Sequence, residues 1–285
     1  MNNMLRLSST SSLVLLWAQQ ECYQTRKAVE FLSQLNLEEG NVLYERCNEI
    51  FQYSEVIKNR KLGIKHFIKK CMVDYGRDQQ ILIAGAGLDA LGIELIELYP
   101  HVTVFELDRD NMDIKSTMVA QLDNELDRRI SFIAVDLLNT RDVNRALSDH
   151  GWDHLKPTLL VLEGISYYLS TKSIQELVRV ISPDSVIFES LKQDKDISIQ
   201  RLNIPQKVFG LISNSCGLSH INKFSRFQVE HLFHNMSIET GYGMEQLERM
   251  RTGTNTLFPT EDSGWIEVYL LRDTSRGLHI TNCCT

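Results

Sequence analysis

Long hydrophobic runs are missing from this sequence. The one stretch resembling a signal sequence, Leu13-Val14-Leu15-Leu16-Trp17-Ala18, is shorter than a secretory apolar core and far shorter than a membrane span. A cytoplasmic protein with no membrane partner is therefore expected. Six cysteines (Cys22, Cys47, Cys71, Cys216, Cys283 and Cys284) form no C-x-x-C pair and no Cys/His pattern at metal-ligand spacing. Reduced, mostly buried thiols and no metal follow. The tail Asn282-Cys283-Cys284-Thr285 places Asn282 where prenylation needs a cysteine, so no lipid anchor is expected. An excess of positive charge is also lacking: 30 Lys and Arg stand against 37 Asp and Glu, a net charge of −7. Nothing there attracts a phosphate backbone, and nucleic acid is excluded as a main partner. With 5 prolines and 15 glycines the chain is too poor in both to be disordered. Its 285 residues, 43% hydrophobic and 24% charged, suffice for one large domain or two small ones.

The first 75 residues hold no proline and no strand-like alternation. Apolar residues recur at helical spacing, as in Val42, Leu43, Cys47, Ile50 and Phe51, and again in Ile57, Ile64, Ile68, Cys71 and Met72. From Gln80 the pattern changes to short apolar runs separated by helical stretches, the signature of a parallel sheet flanked by helices. Strands are predicted over 81–84, 102–106, 130–135, 159–163, 185–190 and 266–271, and helices over 90–99, 111–122, 141–150 and 172–181. The fold class is α/β, doubly wound, with helices on both faces and an N-terminal helical cap. Residues 1–285 are expected to form a single domain: a cap over 1–75, a cofactor-binding core over 76–191, an insert or lid over 192–225, and completion of the sheet over 226–285.

The most informative stretch is Ile81-Leu82-Ile83-Ala84-Gly85-Ala86-Gly87-Leu88-Asp89-Ala90, an apolar strand running into a glycine turn and then a helix. Gly85 and Gly87 permit a tight turn and a close backbone approach to a ligand. Glu106, 21 positions after Gly85, ends the next strand, where a carboxylate can accept from both ribose hydroxyls of a nucleotide. Two cofactor types fit: a dinucleotide such as NAD, with its pyrophosphate on the helix N-terminus, or S-adenosyl-L-methionine. Asp89 in the turn repels a pyrophosphate but not a cationic sulfonium, which favours the methyl donor. Asp136, followed by Leu137, ends a third strand and can accept from the adenine amino group; its other reading is a helix cap.

The run Gly151-Trp152-Asp153-His154-Leu155-Lys156-Pro157-Thr158-Leu159-Leu160-Val161-Leu162-Glu163-Gly164-Ile165-Ser166-Tyr167-Tyr168-Leu169 resembles the fourth-strand block of the leucine carboxyl methyltransferase family, which includes the tetracenomycin-type polyketide O-methyltransferases. The glycine turn is similar to the family's first motif and Asp136-Leu137 to its adenine motif. Arg60, 25 residues before Gly85, stands where the family places an arginine for the methionine carboxylate. The resemblance spans about 58–169 and implies a class I methyltransferase using S-adenosyl-L-methionine. It assigns Arg60 to the methionine carboxylate, Gly85, Gly87 and Asp89 to the turn, Glu106 to the ribose, Asp136 and Leu137 to adenine, and Glu163 to the methionine amino end. Two departures stand out: Ala90 and Leu91 where the family has Thr and a polar residue, and Arg109-Asp110 after the second strand.

On this reading catalysis is placement of an acceptor oxygen against the methyl group. A carboxylate or hydroxyl oxygen, of a small molecule or of a carrier- or protein-borne carboxylate, is the expected acceptor. Tyr168 is a candidate acceptor contact, and the pocket is expected between the N-terminal helices and residues 193–223. A non-catalytic binding protein on the same fold and an NAD-type oxidoreductase are the alternatives. Lys58, Lys61, Lys65 and Lys69 share a helical face expected to be solvated, or else to meet an anionic partner. His220, His231 and His234 are expected to be surface or packing residues.

Overall fold

The computed structural model describes residues 5–6, 9–18, 21–75, 78–216 and 221–275. Its strands are β1 (Leu5–Arg6), β2 (Leu35–Asn36), β3 (Gln80–Ala84), β4 (Thr103–Asp108), β5 (Ile130–Ala134), β6 (Thr158–Leu162), β7 (Ser185–Leu191), β8 (Met236–Gly243) and β9 (Ile266–Asp273). Its helices are α1 (Ser9–Ala18), α2 (Arg26–Ser33), α3 (Asn41–Ile50), α4 (Tyr53–Tyr75), α5 (Leu91–Leu98), α6 (Met112–Leu122), α7 (Asn124–Asp127), α8 (Thr140–Asp149), α9 (Thr171–Ile181), α10 (Asn203–Cys216), α11 (Arg226–Glu230) and α12 (Met244–Thr252). Cys283, Cys284, the rest of the C-terminal tail and His220 lie outside the described residues, as does the side chain of Cys216.

A seven-stranded sheet runs in the order β5-β4-β3-β6-β7-β9-β8. β3 to β7 are mutually parallel, and β9 runs antiparallel between β7 and β8. Alternate residues of β3 feed two cores: Ile81 and Ile83 pack on one face, Leu82 and Ala84 on the other. A strand buried on both faces needs an unbroken apolar run, which Ile81-Leu82-Ile83-Ala84 provides. The α/β doubly wound expectation holds, and the strand and helix bounds agree to within a residue or two.

Three parts differ from expectation. The N-terminal segment is helical, but β1 pairs with β2 in a two-stranded parallel sheet, too short to show alternation. The 193–223 stretch holds α10, whose Ile204, Val208, Phe209 and Ile212 are buried at helical spacing. The edge strand β8 was hidden by its glycines and by the irregularity between Ile238 and Thr240.

Helix boundaries have local causes. The Ser170 hydroxyl accepts from Ser173 N at the start of α9, and Ser182 closes it in a left-handed conformation just before Pro183. α4 packs on β7, β9, α1 and α12, burying Ile57, Ile64, Phe67 and Ile68. Among the described residues no helix is long and apolar enough to cross a membrane.

Candidate cofactor and acceptor site

In a doubly wound sheet ligands bind beyond the carboxyl ends of the strands, where the order reverses. Here that point lies between β3, whose chain successor β4 goes one way, and β6, which lies on the other side. Ala84 pairs with Leu107 on one flank and Leu162 on the other, so the register sets Gly85, Asp108 and Glu163 side by side at one edge. A cavity of about 440 Å3 opens there, lined by Arg60, Gly85, Asp89, Asp108 and Glu163 among others, within the usual range for small-molecule sites.

The turn requires glycine at one position above all. Gly85 has φ +71, and a Cβ there would lie 2.5 Å from Ile165 Cδ1. Gly87 is also left-handed, and its N–H donates to Asp108 Oδ2 at 2.9 Å. Asp89 Oδ1 accepts from Leu91 N at 2.9 Å, occupying the start of α5, and from the Tyr23 hydroxyl.

α4 contributes two adjacent cations. Arg60 Nη2 lies 3.1 Å from Glu163 Oε1, and Nη1 lies 3.9 Å from Glu189 Oε1. Lys61 Nζ donates at 2.8 Å to both Asp89 Oδ2 and Glu163 Oε2. Glu189, on β7 behind the cavity wall, also accepts from Gly164 N at 2.5 Å. Two cations against three carboxylates leave the cluster with one negative charge when Glu189 is ionised. Burial raises the Glu189 carboxyl to about 7 despite Arg60. Burial would raise Asp89 too, but Lys61 and the hydrogen bonds from Lys61 and Tyr23 outweigh it and hold Asp89 at about 2. Burial alone would lower Lys61; Asp89 and Glu163 outweigh it and raise its pKa.

The cavity's other half is apolar and aromatic. Leu13, Val14 and Trp17 of α1, Tyr53 and Ile57 of α4, and Phe209 and Ile212 of α10 line it with Tyr167, Tyr168 and Ile266. Among the described residues the buried Tyr167 Oη, Trp17 Nε1 and Arg60 Nε have no hydrogen-bond partner. Tyr168 lies on the cavity wall and is half exposed.

The structure thus brings together Arg60, Gly85, Gly87, Asp89, Glu163 and Tyr168. It does not bring in Glu106, which is 1% exposed and ion-paired with the fully buried Lys115 beneath the turn. Burial raises the Glu106 carboxyl, against the opposing pull of Lys115. Lys115 Nζ also donates to the carbonyls of Gly87 and Asp89, so the pair supports the turn from below. Asp108, two residues on and on the same face of β4, is the acid that reaches the cavity. Asp136 is exposed, with Oδ1 accepting from Leu138 N at 2.9 Å, and Leu137 is buried in the core on the sheet's other side; neither lines the cavity.

The lysine face of α4 is not solvated. Lys58 pairs with Glu21 and Glu55, Lys61 is 2% exposed, and Lys65 pairs with Glu94; of the four only Lys69 is exposed. Carboxylates of the same chain occupy the place of an anionic partner. Cys22, Cys47 and Cys71 are free and buried, and burial raises each thiol. His231 is exposed and lies against the Phe227 ring, 4.2 Å between centroids. Among the described residues no group of His, Cys, Asp and Glu could hold a metal.

The profile of the leucine carboxyl methyltransferase family matches residues 23–182, more than half of the chain. A protein of Mycobacterium tuberculosis H37Rv, named as a candidate S-adenosyl-L-methionine-dependent methyltransferase, is 33% identical over 101 residues, 35% of this chain and 30% of its own length. One of the same name from Mycobacterium avium strain 104 is 31% identical over 105 residues, 36% of this chain and 33% of its own length. The match thus spans about a third of these curated relatives. A DUF574 family protein of Streptomyces avermitilis superposes with a TM-score of 0.63 at 10% identity, covering 92% of this chain and 97% of its own. A candidate methyltransferase of Thermobifida fusca gives 0.59 at 17% identity, over 90% and 97%. These two likenesses show the fold, a class I methyltransferase-like α/β sheet.

Proposed function

The chain belongs to the leucine carboxyl methyltransferase family, and on that premise we propose that it is an S-adenosyl-L-methionine-dependent O-methyltransferase acting on a small molecule with an apolar body. One observation carries the reading: Arg60, Asp89 and Glu163 converge beside the Gly85 turn, at the sheet's switch point, in a cluster that carries one surplus negative charge when Glu189 is ionised. A zwitterionic amino-acid end beside a sulfonium is a net cation and suits that field. A dinucleotide does not, because Asp89 already fills the α5 N-terminus where a pyrophosphate would rest.

Arg60, with Nε unpartnered and its fork on the cavity wall, suits a carboxylate. Gly85 lets the backbone approach, and Asp108 takes the ribose role that the sequence assigned to Glu106. The bound cofactor would supply an electrophilic methyl group on sulfur. The chain's own part is then to hold the acceptor oxygen in line and exclude water, which the aromatic half of the cavity does. Among the described residues, Tyr167 Oη and Trp17 Nε1 are unpartnered polar groups there that can fix an acceptor oxygen. Among the described lining residues Arg60 is assigned to the cofactor, Lys61 faces Asp89 and Glu163, and Arg109 pairs with Asp110, so no further cation awaits an acceptor carboxylate. That favours a hydroxyl acceptor.

Calorimetric titration tests this. S-adenosyl-L-methionine and S-adenosylhomocysteine are expected to bind and NADH not to, with Arg60→Ala weakening the first two by about tenfold or more. Binding of NADH in preference to both adenosyl ligands overturns the reading.

A further inference from the structure

Glu189 is a buried acid with no part in the proposed reaction so far. It is 0% exposed on β7 and does not line the cavity, yet it holds parts of the chain that do. Its Oε2 accepts from Gly164 N at 2.5 Å and its main-chain oxygen accepts from Ser166 Oγ at 2.6 Å, which fastens the loop carrying Glu163, Gly164 and Tyr167. Its Oε1 lies 3.9 Å from Arg60 Nη1 and has no hydrogen-bond partner among the described residues. Glu163 Oε1, 3.1 Å from Arg60 Nη2, and Arg60 Nε are likewise without one. Arg60 is thus flanked by acids through charge and not through hydrogen bonds. A ligand carboxylate received by that guanidinium must share it with whatever negative charge Glu189 carries.

The groups facing Glu189 come from three elements. α4 brings Arg60, Lys61 and Tyr53, β6 leads into Glu163, and on β9 the paired residue is the buried Val268. Burial raises Tyr53, and Arg60 and Lys61, which burial alone would lower, are raised by the acids around them. Those groups keep their charge across neutrality. Glu189, lifted by burial to about 7 against the pull of Arg60, does not.

We propose that Glu189 is a positioning residue whose proton is the counterpart of the ligand's carboxylate: the proton is held while that carboxylate sits on Arg60, and its loss loosens the ligand. This rests on the adenosyl-ligand reading above and adds to it a group that acts through Arg60 and the Gly164 loop without touching the ligand. A carboxylate on Arg60 is a second negative charge near Glu189 and raises it further in the complex, so binding at neutral pH draws a proton from the solvent onto Glu189. Affinity is then greatest with Glu189 protonated and falls as pH rises through about 7. A 5′-thioadenosine ending in a carboxylate feels this, and one without the carboxylate does not.

The test is calorimetric titration between about pH 6 and pH 8 in buffers of different ionisation heat, which counts the protons taken up with the ligand. The probes are S-adenosylhomocysteine, which has the carboxylate without the sulfonium charge, and 5′-methylthioadenosine, which has neither. On the wild-type protein S-adenosylhomocysteine is expected to weaken by about tenfold across that range, with proton uptake, and 5′-methylthioadenosine to stay within about threefold, with none. Glu189→Gln, an isosteric stand-in for the protonated acid, is expected to bind S-adenosylhomocysteine with no proton uptake and within about threefold at all pH values. A purely structural Glu189 would move both ligands alike. The two-ligand comparison needs only the wild-type protein and so decides even where the variant fails to fold. S-adenosylhomocysteine binding that is independent of pH, or that falls no more than 5′-methylthioadenosine binding, overturns the proposal and leaves the adenosyl reading intact. Failure of both ligands to bind at every pH overturns the adenosyl reading and this inference with it.

Discussion

Glu189 shows how much of the site's chemistry is set by single side chains. Its folded pKa, about 7, lies above the ordinary 4.5 because burial penalises the charged form more than Arg60 rewards it. A raised value means that its contribution to stability is complete below about 4.5 and is lost as pH rises through about 7. Glu106 shifts in the same direction and shares the sign. Thermal melts between pH 5 and pH 8 are expected to fall by several degrees, and Glu189→Gln to flatten much of that slope; an unchanged slope in the variant would count against it. Glu106→Ala belongs to the fold, not to the ligand. It strands buried Lys115 and should cost about 3–5 kcal/mol in denaturant titrations. Tyr167→Phe should leave adenosyl binding unchanged and lower kcat/KM for the acceptor by about tenfold, the size of one lost hydrogen bond. Asp89 and Glu163 stand within motifs of the sequence, and Arg60 was placed only by its spacing from Gly85 under the family resemblance. Asp108 was displaced by Glu106 because residues i and i+2 share a strand face, and only depth within the sheet separates them. Glu189 and Tyr23 reach the site through tertiary packing and carry no local signal. Lys61 adjoins the motif arginine, yet helical spacing grouped it with surface lysines.

At the level of elements, the legible ones were those buried on both faces or regularly amphipathic. β3 and β6 are mostly apolar runs, β7 is built around Val186-Ile187-Phe188, and α9 has a one-sided apolar stripe at Ile174, Leu177, Val178 and Ile181. β8 was missed because it lies at the sheet's edge, with Ser237 and Glu239 exposed and two glycines breaking its run. α5 and β4 are fastened by close approach: a Cβ on Gly92 would lie 2.2 Å from Glu106 Oε1. Gly92→Ala should therefore destabilise by about 1–3 kcal/mol despite the better helix propensity of alanine. α1 closes the apolar half of the cavity through Leu13 and Trp17. Acceptor binding should perturb tryptophan emission, a signal removed by Trp17→Phe and retained in Trp152→Phe, since Trp152 is packed against Phe105 in the other core.

For the whole molecule, the N-terminal helices share a buried core with the sheet. A single core cluster runs from Leu13 and Phe31 through Ile64 and Ile83 to Val268 and Leu270. Arg272 on β9 adds a polar clip, meeting Glu239 of β8, Ser185 of β7 and Asp74 of α4. One cooperative calorimetric transition is expected, and an earlier, separate melting of the N-terminal helices would contradict it. The surplus carboxylate of the cluster also bears on turnover. Under the proposed reaction the spent cofactor leaves with one positive charge fewer than the donor that arrived. A negative site therefore holds the incoming donor more firmly than its by-product, and this chain should suffer comparatively little product inhibition, least of all above the pH at which Glu189 gives up its proton.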